Sequence, residues 1–223
     1  MSFFYNFLLS YIFLTSFYYY RKNFNSFDSF ISYIFRLLLV FLDYKVDEFN
    51  LDTLPSKLII IGSHTSIYDF IIGTMFYYGY LHKKYVTFIL MKKDFEKIVN
   101  PLFYFINKVK LISVDKNKNN SITKDLTEKL KDENNYIIFI APEGTRKCVE
   151  NIKSGYWYIS KNLNAHIAYL GIDFLNRIII LEDPRIPYDS FDDEIDAFIK
   201  STKKYVPMYP ERCFWNKNFY EKE

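Results

Sequence analysis

Short apolar runs that alternate with segments of helical periodicity constrain the fold of this chain most strongly. The clearest runs are Leu-Ile-Ile-Ile at 58–61 and Tyr-Ile-Ile-Phe-Ile at 136–140, which are typical of buried strands. Strands that alternate with helices indicate an α/β fold, with a mixed, largely parallel sheet flanked by helices. We expect strands at 57–62, 86–91, 111–115, 136–141, 166–172 and 177–181, and helices at 66–80, 94–107, 121–133, 152–163 and 192–203.

A histidine and an aspartate, His64 and Asp69, follow the first of these runs at a spacing of five. On one continuous helix, such positions lie about 140° apart around the axis, so the two side chains meet only if the chain bends between them. Gly62 ends the apolar run and permits a bend. Candidate helix caps follow it: Ser63, Thr65 and Ser66. We therefore expect His64 in a strand-to-helix turn and Asp69 in the first turn of the helix.

This pair has the chemistry of a general base. A carboxylate that accepts from Nδ1–H fixes the imidazole tautomer, and Nε2 is then free to take a proton from a hydroxyl. The alternative is a turn histidine beside a helix-capping aspartate, both serving structure alone. The His64–Asp69 spacing by itself leaves both interpretations open.

A second polar motif, Ala-Pro-Glu-Gly-Thr-Arg at 141–146, follows the apolar run at 136–140. Gly144 allows a ligand to approach the backbone closely. Arg146 offers a planar, permanently charged fork that matches phosphate oxygens. The alternative is a surface turn with a Glu–Arg pair, which would contribute little. Two such motifs, each directly after a strand, together predict proton abstraction from a substrate that carries an anionic group.

These motifs and their order resemble the glycerolipid acyltransferases related to lysophosphatidic acid acyltransferase. Other parts of the chain are similar to further blocks of that family: Lys-Lys-Asp-Phe at 92–95, Pro-Leu-Phe at 101–103, Lys-Leu-Ile-Ser-Val-Asp-Lys at 110–116, and the stretch from 141 through Lys-Ser-Gly-Tyr at 153–156 to 173. The resemblance covers about residues 55–205. It is closest to a compact, mostly bacterial subgroup in which Ala-Pro precedes Glu-Gly-Thr-Arg.

The resemblance implies an O-acyltransferase. His64 would be the general base for an acceptor hydroxyl, and Asp69 would orient it. The activated oxygen would attack the thioester of acyl-CoA or an acyl carrier protein, which is a co-substrate, so neither a cofactor nor a metal is expected. The acceptor would be a lysophospholipid or a glycerol-phosphate-type alcohol. The substrate-binding residues predicted are Ser66, Lys116, Glu143, Gly144, Thr145 and Arg146.

The chain departs from the family pattern at several positions. Ser63 replaces an asparagine that often precedes the histidine, Lys110 and Lys116 replace a glycine and an arginine, and His166 replaces a proline. Lysine keeps the charge of arginine but loses its bidentate fork. Two alternatives therefore stay open: a non-catalytic lipid-binding protein, and a thioesterase or lipid hydrolase that uses the same His–Asp pair.

The N-terminal sequence predicts membrane association. Residues 1–20 contain no charged side chain and are followed by Arg21-Lys22, and twenty residues are enough to span a bilayer, although tyrosines and other polar side chains dilute their hydropathy. A spanning anchor and an interfacial hairpin both stay open, and the alternative to either is a pair of helices packed on a soluble core. A second apolar stretch at 30–42 is too short to span and is typical of an interfacial helix. We expect a membrane-associated helical segment at 1–45 and an acyltransferase domain at 46–223, located at the membrane with the domain facing the cytoplasm.

Composition limits the other partners. A net charge of +3 and a pI of about 8.6 are compatible with an anionic membrane surface and too weak to indicate nucleic acid. Two cysteines, Cys148 and Cys213, do not form a disulfide framework, and Cys148 is interpreted as an incidental thiol. The expected partners are therefore membrane lipids and acyl-CoA or an acyl carrier protein, and the sequence sets no oligomeric state.

Overall fold

The computed structural model of the protein describes residues 27–92, 109–114, 121–130 and 133–215. Seven strands lie in these ranges: β1 (Lys45–Val46), β2 (Lys57–Ile61), β3 (Val86–Lys92), β4 (Val109–Val114), β5 (Tyr136–Ile140), β6 (His166–Asp173) and β7 (Ile178–Leu181). The α-helices are α1 (Phe27–Phe41), α2 (Ile67–Phe76), α3 (Ser121–Leu130), α4 (Gly155–Leu163) and α5 (Phe191–Thr202). A π-helical turn (Tyr77–Leu81) continues α2, and a 3₁₀ turn (Pro210–Arg212) follows α5.

The strands form one sheet in the order β1-β7-β6-β2-β5-β3-β4. Strands β6, β2, β5, β3 and β4 are all parallel to one another, while β7 runs antiparallel to β6 and pairs in parallel with β1. The predicted fold class, a mixed and largely parallel sheet flanked by helices, is confirmed.

Each face of the sheet is covered by helices, because successive side chains of a strand point to opposite faces. Leu58 and Ile60 of β2 pack with Leu39 of α1 and Phe76 of α2. The alternate residues of β2 lie in a second cluster with residues of α3, α4 and α5: Ile59, Ile61, Leu126, Tyr156 and Phe198. The continuous apolar character of β2 follows from this burial on both faces.

The predicted strands agree with the observed bounds within two residues, because each is a bounded apolar run. The two-residue β1 was not predicted, since it is too short to show any periodicity. The helix predicted at 66–80 is α2 followed by the π-helical turn. The helix predicted at 94–107 lies outside the described residues.

Helix α1 has one buried and one exposed apolar face. Leu39 and Ser32 are buried against the domain, while Val40 and Phe41 are 70% and 86% exposed. Within the described ranges, no helix is both long and apolar enough to cross a membrane. Residues 1–20, expected to form either a spanning anchor or part of an interfacial hairpin, lie outside those ranges. Because α1 packs on α2 and on the π-helical turn, it contributes to the core that the sequence assigned to the following domain.

Candidate active site

The two sequence motifs meet at the carboxyl edge of the sheet. Strands β2 and β5 are parallel neighbours whose last residues, Ile61 and Ile140, are paired in register. His64 and Glu143 each lie three residues beyond this pair. The helices that follow the two strands, α2 and α4, pack in different core clusters on opposite faces of the sheet. Such a divergence at the carboxyl edge opens the crevice in which α/β proteins commonly bind ligands.

The His64 turn is held by the side chain of Asp69. Asp69 Oδ2 accepts hydrogen bonds from the backbone N–H groups of Thr65 at 2.7 Å and Ser66 at 2.6 Å. Ser66 is the N-cap of α2, and its hydroxyl accepts from the N–H of Tyr68 at 2.9 Å. Ser66 and Asp69 also form a capping box, in which the side chain of each accepts from the backbone N–H of the other. The carboxylate also lies in the first turn of α2, where the helix dipole stabilises negative charge.

The imidazole lies against the same carboxylate. Asp69 Oδ2 is 3.6 Å from His64 Nδ1, which is longer than a hydrogen bond, and the side chains are 27% and 10% exposed, with His64 the more accessible. Long contacts of this kind commonly tighten when the reacting complex forms. The geometry therefore suits a histidine oriented from the Nδ1 side, with part of its ring open to solvent.

Glu143 is buried beneath this turn. Its residue exposure is 3%, and burial raises the pKa of its carboxyl from 4.5 to about 7, with the Asp69 carboxylate raising it further. Backbone N–H groups of Glu143 and His64 and the hydroxyl of Ser63 oppose that shift. The carboxyl thus supports the His64 backbone and titrates near neutral pH. Contact of Glu143 with an acceptor stays a prediction.

A third strand contributes to the same edge through Tyr169 of β6. Tyr169 pairs in register with Ile61, and burial raises the pKa of its phenol well above the ordinary value. The Ser63 hydroxyl opposes this rise, while the Glu143 carboxyl adds to it. The Ser63 hydroxyl after β2, the Glu143 carboxyl after β5 and the Tyr169 phenol of β6 therefore lie close together at the level where β2 and β5 end.

The second motif forms a tight turn around Gly144. Its φ of +63° lies in the left-handed region, and a Cβ there would approach Lys153 Nζ to 2.9 Å. The N–H of Gly144 donates to the carbonyl of Ala141 at 3.0 Å. Arg146 is exposed, and it forms no ion pair with any residue that the structure describes. Thr145 Oγ1 accepts from the backbone N–H of Lys147 at 3.3 Å.

Two contributors to the site were missed by the sequence reasoning. Lys153 places a second cation over Gly144, and its position in the Lys-Ser-Gly-Tyr block was the signal that could have identified it. The C-terminal segment is the other, because Arg212 donates to the carbonyl of Thr65 at 3.0 Å and the N–H of Tyr209 donates to Thr65 Oγ1 at 3.4 Å. No local sequence pattern marks these contacts.

Most of the predicted site residues lie at this one edge: His64, Ser66, Asp69, Glu143, Gly144, Thr145 and Arg146. Lys116 lies outside the described residues. The Ser66 hydroxyl is buried as a helix cap, and its contact with substrate stays a prediction. Across the described ranges, no group of three or more His, Cys, Asp and Glu side chains could hold a metal ion.

Comparison with known proteins gives an independent result. No curated protein and no solved structure gave a significant match. The family model described as acyltransferase matches residues 45–169, from β1 into β6, and so includes both turns of the site. Since that match spans more than half of the 223 residues, the chain belongs to the acyltransferase family.

Proposed function

We propose that this acyltransferase moves a fatty acyl group from acyl-CoA or an acyl carrier protein to the hydroxyl of a lysophospholipid or glycerol-phosphate-type acceptor. The observation that carries the proposal is the His64–Asp69 contact, at 3.6 Å, on a turn beside the motif that contains Arg146. The order of the sequence blocks supports the lipid acceptor, and family membership supports acyl transfer.

His64 acts as the general base. Its Nε2 takes the proton from the acceptor hydroxyl, and the resulting oxygen attacks the thioester carbonyl of the donor. The tetrahedral intermediate collapses, the carbon–sulfur bond breaks, and the thiolate leaves and takes up the proton that His64 holds. Asp69 stabilises the imidazolium during this sequence because its carboxylate lies on the Nδ1 side of the ring.

Exposed cations hold the acceptor. Arg146 is solvent-exposed, and the Lys153 ammonium lies over Gly144. A phosphate beside them would gain charge-assisted hydrogen bonds, and the fork of Arg146 could bind two of its oxygens. Glu143 is buried close to the His64 turn, where the backbone N–H of His64 lowers the pKa of its carboxyl and the Asp69 carboxylate raises it.

The protein works at a membrane surface. Exposed apolar side chains lie on α1 at Leu37, Val40 and Phe41, and on α2 at Tyr68 and Ile71. These two helices pack together, and α2 begins directly after the His64 turn. Such a surface is suited to the boundary between headgroups and acyl chains. It would let a lipid acceptor reach the base without leaving the bilayer.

The transfer reaction is tested on the purified full chain in detergent, with palmitoyl-CoA and a panel of lysophospholipids and neutral alcohols. We expect thiol release that depends on the acceptor, an esterified product, and a roughly 10²–10⁴-fold loss in His64→Ala. Thiol release at the same rate without acceptor would favour hydrolysis. No turnover with any acceptor, together with retained lipid binding, would favour a non-catalytic lipid-binding protein.

The membrane surface has its own test, with the acceptor presented either in phospholipid vesicles or in detergent micelles. The double variant Val40→Asp/Phe41→Asp should lose activity on vesicles and keep it in micelles. Ile186→Asp is the matched control, because Ile186 is 74% exposed and lies on neither helix. Equal activity of both variants on vesicles would contradict the assignment of this surface.

A further inference from the structure

The C-terminal segment at 209–214 lies against the His64 turn, although it is more than 140 residues away along the chain. The N–H of Tyr209 donates to Thr65 Oγ1 at 3.4 Å, and Arg212 Nη1 donates to the carbonyl oxygen of Thr65 at 3.0 Å. This segment lies beyond the residues 45–169 that the family model matches. Family membership therefore assigns it no role.

The segment is anchored to the core, so its contacts are held in place. Cys213 and Phe214 are buried, and the Phe214 ring stacks on Phe198 of α5 with a centroid distance of 5.7 Å. The thiol of Cys148 donates to the carbonyl of Cys213 at 3.0 Å. Burial raises the pKa of the Cys213 thiol to about 12, so this residue packs as an apolar side chain.

Arg212 is pre-organised for its contact. Its guanidinium lies 4.0 Å from the centroid of the Tyr209 ring, and such stacking limits the freedom of the side chain before it bonds to Thr65. Stacking and hydrogen bonding together align the fork with one carbonyl group. A lysine could supply the charge but not this planar geometry.

The backbone N–H, the backbone carbonyl and the side-chain hydroxyl of Thr65 each form a hydrogen bond. Its N–H donates to Asp69, its carbonyl accepts from Arg212, and its hydroxyl accepts from the N–H of Tyr209. Thr65 is 1% exposed and follows His64 directly in the chain. Any shift of the Thr65 peptide would move the backbone of His64 relative to the Asp69 carboxylate.

We propose that Tyr209 and Arg212 form a C-terminal clamp on Thr65 that positions His64 for proton transfer, with Arg212 as the positioning residue. The clamp rests on the proposed function, in which His64 is the general base. It acts through the backbone of the turn, so it affects the rate of the chemical step rather than the binding of either substrate.

The test compares Arg212→Gln with Arg36→Gln in the full chain. Arg36 is a matched control, because it also stacks on a tyrosine, Tyr80 at 4.4 Å, and donates to a backbone carbonyl, that of Gly79 at 2.7 Å. We expect Arg212→Gln to lower kcat by roughly 10- to 100-fold with little change in KM, because a misplaced base slows the reaction steeply. Arg36→Gln should leave kcat within about twofold, because Arg36 bonds to the π-helical turn and not to the His64 turn.

Two further variants separate the possible outcomes. Arg212→Lys should restore part of kcat, because it keeps a donor for the Thr65 carbonyl. In a His64→Ala background, Arg212→Gln should cost nothing further, since residues that act as a unit are not additive. An equal loss of kcat in the two glutamine variants would overturn the clamp, and so would an effect of Arg212→Gln confined to the KM of the acceptor.

Failure of the clamp is distinct from failure of the proposed function. Full activity of Arg212→Gln, together with an inactive His64→Ala, would reject the clamp and leave the base in place. Full activity of His64→Ala would reject the base itself.

Discussion

The turn after β2 is held by side chains, whereas the turn after β5 is held by backbone hydrogen bonds and a glycine. Asp69 and Arg212 both bond to the peptide groups around Thr65 in the first turn. In the second, Gly144 bonds to Ala141 and adopts a left-handed conformation, and Arg146 is left exposed. Proton transfer needs hydrogen-bond geometry, while attraction between charges falls off slowly with distance. The rigid first turn therefore suits the base, and the exposed side chain of the second turn suits a cation that adapts to a bound anion.

Asp69→Asn should have the largest effect of any single substitution in the first turn. The variant keeps an oxygen for the helix cap but loses the charge that orients and stabilises His64. We expect kcat to fall by roughly 10²-fold or more, because general-base catalysis contributes about 10²–10⁴. The free energy of unfolding should fall by only about 1 kcal/mol. Steady-state kinetics and denaturant titration measure the two effects, and a loss of stability without a loss of kcat would make Asp69 a helix cap alone.

Glu143→Gln tests how the two turns depend on each other, because Glu143 belongs to the second motif but is buried close to the first turn. The folded-state pKa of about 7 lies above the ordinary 4.5, so an unfolded chain releases this proton at lower pH than the folded one. Ionisation of Glu143 therefore costs stability progressively from pH 4.5 to about 7, and the cost persists above that. The unfolding free energy of Glu143→Gln minus that of wild type should therefore increase by about 3 kcal/mol as the pH rises from 4.5 to 8.

Denaturant titrations of wild type and Glu143→Gln at several pH values measure this difference directly. Other carboxyl groups cancel in the comparison between the two proteins, because both contain them. A constant difference from pH 4.5 to pH 8 would show that Glu143 does not titrate in that window.

Arg146→Ala tests the adaptable side of the comparison. If the guanidinium binds phosphate, phosphorylated acceptors should lose about 1.5–3 kcal/mol of binding in the transition state, the value of a hydrogen bond to a charged group. Neutral acceptors should react as before, and stability should not change, since Arg146 is exposed. The ratio of kcat/KM for phosphorylated and neutral acceptors measures this. An equal loss for both would remove Arg146 from the phosphate site.

The main effect of Gly144→Ala, a loss of stability, is the smallest of the main effects expected for these four variants. A side chain at a φ of +63° costs about 1–2 kcal/mol, and its Cβ would displace the flexible end of Lys153. Gly73 of α2 is the control, because a Cβ there meets nothing within 4 Å and alanine should stabilise the helix by about 0.5–1 kcal/mol. Thermal unfolding of both variants checks the opposite signs. A Gly144→Ala variant as stable as wild type would mean that this turn accommodates a side chain by a small backbone shift.

Local patterns predicted β2 to β7 because each of these strands leaves a largely apolar run of four or more consecutive residues. They also predicted the bend at Gly62 and a helix cap, which is Ser66. They missed β1, whose two residues have no period, and the π-helical turn, which continues α2 with the same apolar character. The burial of Glu143 was not predictable either, because a glutamate between proline and glycine is typical of a surface turn.

The sequence alone predicted the α/β alternation and placed His64 after one strand and Arg146 after another. It also showed the family resemblance that links these two residues. These features depend on residues close together in the chain, where hydrophobic period and turn chemistry can be identified directly. Only the tertiary structure decided that Ile61 and Ile140 pair in register, which brings the two motifs to one edge. It alone also decided that Arg212 bonds to Thr65, because a contact across more than 140 residues depends on how the whole chain packs.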